Sequence, residues 1–188
     1  MPAPTPALQR SDWPAEVDAL LRAGTVIPAH PLALDAQRRL DPRRQRALTR
    51  YYLDAGAGGL AVGVHATQFA IRELGLYPTV LELAMQARCE WTDRPVVMIA
   101  GLSGRTAQAV SEARTARAVG YPAGMLSLAP MKGASVDELI AHCQAVGDQF
   151  VHRRPLHGRQ RQHAGVVADG PRRPGLAHRL RGAPRQAR

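Results

Sequence analysis

Lysine is almost missing from this 188-residue chain: among 25 basic residues Lys132 is the single lysine, and all the others are arginines. Chemistry that runs through a lysine amine therefore has one residue to draw on. Aromatic residues make up only 4% of the chain, so a core has to be assembled from Leu, Val, Ile and Ala. No apolar run approaches the ~20 residues that a membrane-spanning helix requires, and Met1 to Gln9 lack the basic-then-apolar layout of a secretion signal. These absences lead to the expectation of a cytoplasmic protein with no membrane partner. Cys89 and Cys143 have no metal-ligand spacing and lie in helical patterns. They are expected to be buried, unpaired thiols in a reducing compartment, with no metal site and no cofactor.

Acidic residues are missing from one stretch in particular. Residues 151–188 hold ten arginines and a single acid, Asp169, which is +9 of the chain's formal +10. The first 150 residues, with 15 basic and 14 acidic side chains, are nearly neutral. Arg, Gly, Pro, Gln and His dominate the tail, and its scattered apolar residues cannot offset the entropy of ordering it, so it is expected to be disordered. Its composition matches an out-of-frame translation of a GC-rich gene. The alternative is a nucleic-acid-binding arm in which Arg153, Arg154, Arg159 and the arginines after them release counterions. No aromatic residue follows Phe150 to add base stacking.

Ahead of the tail the chain reads as repeated strand-then-helix units. Residues 12–23 place Trp13, Val17, Leu20 and Leu21 on one helical face, with Asp12 as a cap. Gly24 to Ala29 fits a buried strand. Asp41-Pro42 opens a helix in which Ala47, Leu48, Tyr51, Tyr52 and Ala55 recur at helical spacing, stopped by Gly56. Gly59 to Gly63 is a second strand, followed by a helix from about Tyr77 to Trp91 with Thr79 and Glu82 at capping-box spacing. Pro95 to Gly101 is a third strand, with a helix over about 106–119, and Ala123 to Leu128 a fourth. Ser135 and Glu138 then form another capping box before Leu139, Ile140, Cys143 and Val146. Continuous apolar strands alternating with helices argue for an α/β fold with a parallel sheet covered by helices.

Several stretches carry a family likeness. They are Ile27-Pro28-Ala29-His30-Pro31-Leu32, Leu53 to Gly63, the Ala100-Gly101-Leu102-Ser103-Gly104-Arg105-Thr106 turn, and Ala129-Pro130 leading into Ser135-Val136-Asp137-Glu138-Leu139. Over about 125 residues they resemble, in order, the N-terminal half of the dihydrodipicolinate synthase and N-acetylneuraminate lyase family of Schiff-base aldolases, which are (β/α)8 barrels. The resemblance implies the first four β/α units of a TIM barrel over 24–150, preceded by a lead and helix over 1–23 and followed by the tail over 151–188. It also implies a lyase or aldolase that acts on pyruvate or a related 2-keto acid, whose ketone is attacked by a lysine amine to form an imine. Family members bind the substrate carboxylate on a loop after the second strand, place a tyrosine after the fifth strand and carry the imine lysine on the sixth. All of these lie at the C-terminal face of the barrel.

The chain departs from that pattern. Its loop reads Gly63-Val64-His65-Ala66-Thr67-Gln68-Phe69, so His65 and Ala66 stand where the family has paired threonines, and Gln68 stands for an acid; a one-residue shift brings Thr67 onto the second threonine. His65, Ala66 and Thr67 are the candidate substrate-binding residues. Met131-Lys132 replaces an aromatic pair, and the fifth and sixth strands are absent. Lys132 follows the fourth strand in a loop of small residues that nothing buries, so it is expected to be a solvated lysine. The Gly101 to Thr106 turn opens a helix, but its spacing is that of neither a P-loop nor a dinucleotide fingerprint, which leaves a plain strand-to-helix connection. The expectation is a truncated aldolase-family chain, inactive alone. Half a barrel leaves two unpaired strand edges, so poor solubility, or self-association that closes a pseudo-barrel from two copies, is expected as well.

Overall fold

The computed structural model describes residues 15–151. The expected Asp12 cap, Trp13 and the arginine-rich tail lie outside the described residues. Five helices are present, α1 (Ala15–Ala23), α2 (Pro42–Asp54), α3 (Tyr77–Trp91), α4 (Thr106–Val119) and α5 (Val136–Val151). Three strands, β1 (Gly59–Val62), β2 (Val97–Leu102) and β3 (Ala123–Leu126), form one parallel sheet in the order β1-β2-β3. Leu60 is paired with Met98, and Ala100 with Gly124.

The first expected strand, Gly24 to Ala29, does not form as a strand. Its chain runs beside β1 and makes a single parallel bridge, Ala29 with Ala61. The Ala61 N–H donates to the Pro28 carbonyl at 3.0 Å and the His30 N–H to the Ala61 carbonyl at 2.8 Å. The preceding step of a parallel ladder would need an N–H from residue 28. Proline has none, so the ladder is interrupted there.

The core lies between the sheet and helices α3 and α4. Leu60, Val62, Met98, Ala100 and Leu102 face Val80, Leu81 and Ala84 of α3 and Ala109, Ala113 and Ala116 of α4, all buried. Alanines at i, i+4 and i+7 let α4 sit close on the sheet. Gly120 ends that helix in the left-handed conformation (φ 103°), and its N–H bonds back to Ala116.

Three further expectations change. The Thr79/Glu82 box does not cap α3, which starts earlier at Tyr77-Pro78 behind Leu76 with no side-chain cap, so Thr79 is already inside the first turn. On α2 the covered positions are Gln45, Thr49 and Leu53, while Ala47, Tyr51 and Ala55 face solvent. Polar side chains at i and i+4 lie inward here because they bond to the buried His30 and to nearby backbone. Both cysteines are exposed rather than buried. Cys89 sits nine residues past Val80, about half a turn round α3 from the core, and Cys143 lies beside a covered stripe rather than in it. The Ser135/Glu138 box forms as read: the Ser135 N–H donates to the Glu138 carboxylate at 2.7 Å and the Glu138 N–H to Ser135 Oγ at 3.3 Å.

Candidate functional site

A cavity of about 580 Å³ opens at the C-terminal ends of the strands. Ile27 and Ala29 line one side, Met125, Leu126 and Ser127 the other, and the loop after β1 supplies His65, Ala66 and Phe69. This is where a parallel α/β sheet collects its functional loops.

The loop is shaped by two sharp backbone positions. Gly63 (φ 76°) turns the chain off β1, and Gln68 (φ 75°), a non-glycine in the left-handed range, separates two 3-10 turns, His65–Thr67 and Phe69–Ile71. Gly101 on β2 passes so close beneath that a Cβ there would lie 2.5 Å from the Gly63 carbonyl. The first turn uses the Thr67 N–H, which donates to the Val64 carbonyl at 2.9 Å. The N–H groups of His65 and Ala66 precede any acceptor within the turn.

Of the three sequence-predicted residues, the structure brings two to the cavity. His65 and Ala66 line it and are exposed, and the His65 ring stands edge-on to Phe69 with centroids 5.4 Å apart. Thr67 lies behind the wall, fully buried. Its hydroxyl donates to the His30 carbonyl at 2.6 Å and accepts the Gly63 N–H at 3.0 Å, so it ties the loop to the 27–30 segment. Lys132 ends the 3-10 turn after β3, exposed and outside the cavity lining.

Two polar clusters that the sequence did not announce hold this arrangement. In the first, His30 is fully buried, and Gln45 Nε2 donates to its Nδ1 at 2.7 Å while its Nε2 lies 3.0 Å from Thr49 Oγ1. Gln45 Nε2 also donates to the Pro31 carbonyl, and Gln45 Oε1 accepts the Ala33 N–H at 2.7 Å. With Nδ1 accepting, the proton sits on Nε2 and points at Thr49, whose hydroxyl in turn donates to the Gln45 carbonyl. Burial drives the imidazole pKa down to about 4, against a smaller opposing effect from the Pro31 backbone.

In the second cluster, Arg72 and Glu112 form a buried bidentate pair with contacts of 2.9 and 3.0 Å. Arg72 also donates to the carbonyls of Gly63 and Gly101 at 3.1 and 3.0 Å, clamping the ends of β1 and β2 together. Tyr77 donates to Gly101 at 2.9 Å. Burial and the Glu112 charge raise its pKa, outweighing Arg72, so the phenol keeps its proton. Glu112 accepts the Ser103 N–H as well, so the β2-to-α4 turn spends that donor internally. Nothing in the sequence marked Arg72 as more than a loop arginine, because its partner is 40 residues away.

Among the described residues no group of three His, Cys, Asp or Glu side chains is placed to hold a metal ion, and no helix is long and apolar enough to cross a membrane.

No protein-family model matches the sequence, and no curated protein is significantly similar to it. Solved structures do match. Dihydrodipicolinate synthase from Aquifex aeolicus superposes with a TM-score of 0.58 at 19% identity, over 66% of this chain and 41% of that one. YagE, an E. coli K12 prophage protein of the dihydrodipicolinic acid synthase family solved with pyruvate, gives 0.58 at 20% identity over 66% and 41%. A catalytic-lysine mutant of Ruminococcus gnavus sialic acid aldolase gives 0.59 at 22% identity over 70% and 42%. The chain thus has the α/β fold of the N-terminal portion of these barrels and spans about two fifths of their length.

Proposed function

We propose that this chain carries the carboxylate-binding part of an aldolase-type barrel site for pyruvate or a related 2-keto acid, and that it binds such acids without forming an imine. The observation that carries the reading is the 63–69 loop at the strand ends. The His65 and Ala66 N–H groups begin a turn without intrahelical acceptors, the His65 imidazole stands beside them, and no acid lines the cavity to repel an anion. A carboxylate accepts both N–H bonds there, leaving the ketone toward the apolar wall of Met125 and Leu126. His65 is the group able to hold or release a proton at the bound acid. Imine formation needs a neutral lysine amine at the ketone carbon. Lys132, the chain's single lysine, is solvated and off the wall, so the lyase chemistry implied by the fold stops at binding. The same reading places the chain in the cytoplasm, where its two exposed, unpaired cysteines persist as thiols.

The test pairs binding with trapping. Saturation transfer from the full chain to the pyruvate methyl is expected. His65→Ala, removing a charge-assisted contact of roughly 1.5–3 kcal/mol, is expected to weaken binding by about tenfold or more. Borohydride added with pyruvate is expected to leave the mass unchanged. Absence of saturation transfer would refute the binding site, and a reduced adduct on Lys132 would refute the claim that no imine forms.

A further inference from the structure

Among the described residues the sheet has two free edges, which run in the same direction and wall one cavity. One edge is the 26–30 segment, where Val26 is 72% exposed; the other is β3, where Met125 is 52% exposed. Ile27 and Ala29 from the first edge and Met125, Leu126 and Ser127 from the second line the same space, so the sheet curls toward that space as half a barrel does. Helix α5 extends the uncovered flank. It packs on α4 and β3, yet Val136, Ile140 and Cys143, at i, i+4 and i+7, form an exposed stripe on its far side.

Four parallel segments are half of the eight that close a barrel of this architecture. A two-fold axis along the barrel keeps all strands parallel and sets each 26–30 edge against a β3 edge, twice. A second copy therefore offers each open edge the neighbour it lacks. Residues 151–188 hold ten arginines, one acid and no sustained apolar run. We infer that two copies of this chain close a single eight-segment barrel, the 26–30 edge of each against β3 of the other, with the two cavities merged into one mouth. This follows from the sheet edges alone and does not depend on which ligand binds.

The full chain, without ligand, is tested by light scattering after size exclusion. The expected mass is twice the 20.3 kDa of one chain. Val26→Glu and Met125→Glu, on opposite edges, are each expected to halve it, while Leu74→Glu, equally exposed at 71% but off both edges, leaves it unchanged. Thiol labelling gives an independent readout: Cys143 is expected to react slowly in the dimer and at the rate of Cys89 in the edge variants. If an edge variant loses its helical circular dichroism, Ile140→Glu on the exposed stripe of α5 replaces it. Four outcomes overturn the inference: a monomeric chain with both thiols fast, a monomer with Cys143 protected by the chain's own residues, an open polymer, or a dimer that the Val26, Met125 and Ile140 variants all leave intact.

Discussion

Strand β1, Gly-Leu-Ala-Val, and strand β3, Ala-Gly-Met-Leu, have the same length and apolar character, yet every residue of β1 is buried and none of β3 is. Their neighbours differ rather than their sequences. β1 has the 26–30 segment on one side, β2 on the other, and α2 and α3 above it. β3 has β2 on one side and nothing described on the other. Burial is thus a property of position in the layer, and an apolar strand sequence only permits it. A second contrast follows. On the covered flank long-range polar contacts fix the backbone, as Arg72, Tyr77, Gln45 and Thr67 do; on the open flank α5 starts from a local capping box and is reached further along by Thr106, Arg114 and Arg117 of α4.

The contrast breaks most severely where the covered flank is clamped. Arg72→Met is expected to cost about 3–5 kcal/mol, because Glu112 stays buried as an uncompensated charge while the Gly63 and Gly101 carbonyls lose a donor. The urea midpoint measures this. A cost under 1 kcal/mol would mean that β1 and β2 are held by packing alone. The double variant Arg72→Met with Glu112→Leu is expected to recover much of the loss, since it removes the stranded charge.

Acid exposes the other cluster on the same flank. Between pH 6.5 and about 4 the unfolded chain binds a proton on His30 and the folded chain does not. Stability therefore falls as pH drops through that window, by about 3 kcal/mol in all, and this contribution levels off below it. His30→Gln is expected to flatten that part of the profile. An unchanged slope would place the imidazole in contact with water, which its complete burial opposes.

These clusters mark where sequence reading reached its limit. The boundaries of α4 and the Asp41 and Ser135 caps were legible because each depends on residues within one turn. The 24–29 strand was misread because periodicity does not register the N–H that Pro28 lacks. The inward face of α2 was misread because Gln45 and Thr49 look solvent-facing until His30 arrives from 15 residues upstream. Of the site, His65 and Ala66 were singled out through the family resemblance, which puts a substrate loop after the second strand, and both line the cavity. Thr67 was not separable from them, since only the fold shows its hydroxyl already taken by His30 and Gly63.

The smallest effect is expected at the start of α5. Ser135→Ala removes the Oγ that meets the Glu138 N–H and the hydroxyl that bonds the Glu138 carboxylate, a loss of about 1 kcal/mol for an N-terminal cap. The Ser135 N–H bond most, and the Ser135 hydroxyl after it, hold the Glu138 carboxyl below its usual pKa. The substitution is therefore expected to raise that pKa only in part, leaving the Ser135 N–H bond in place. Carbon-detected titration of the Glu138 carboxyl reads this directly. A full return to the ordinary glutamate value would show that the Ser135 N–H bond fails without the hydroxyl, making the box cooperative rather than two separate contacts. In that case the start of α5, like the clamps of the covered flank, would depend on contacts that act together.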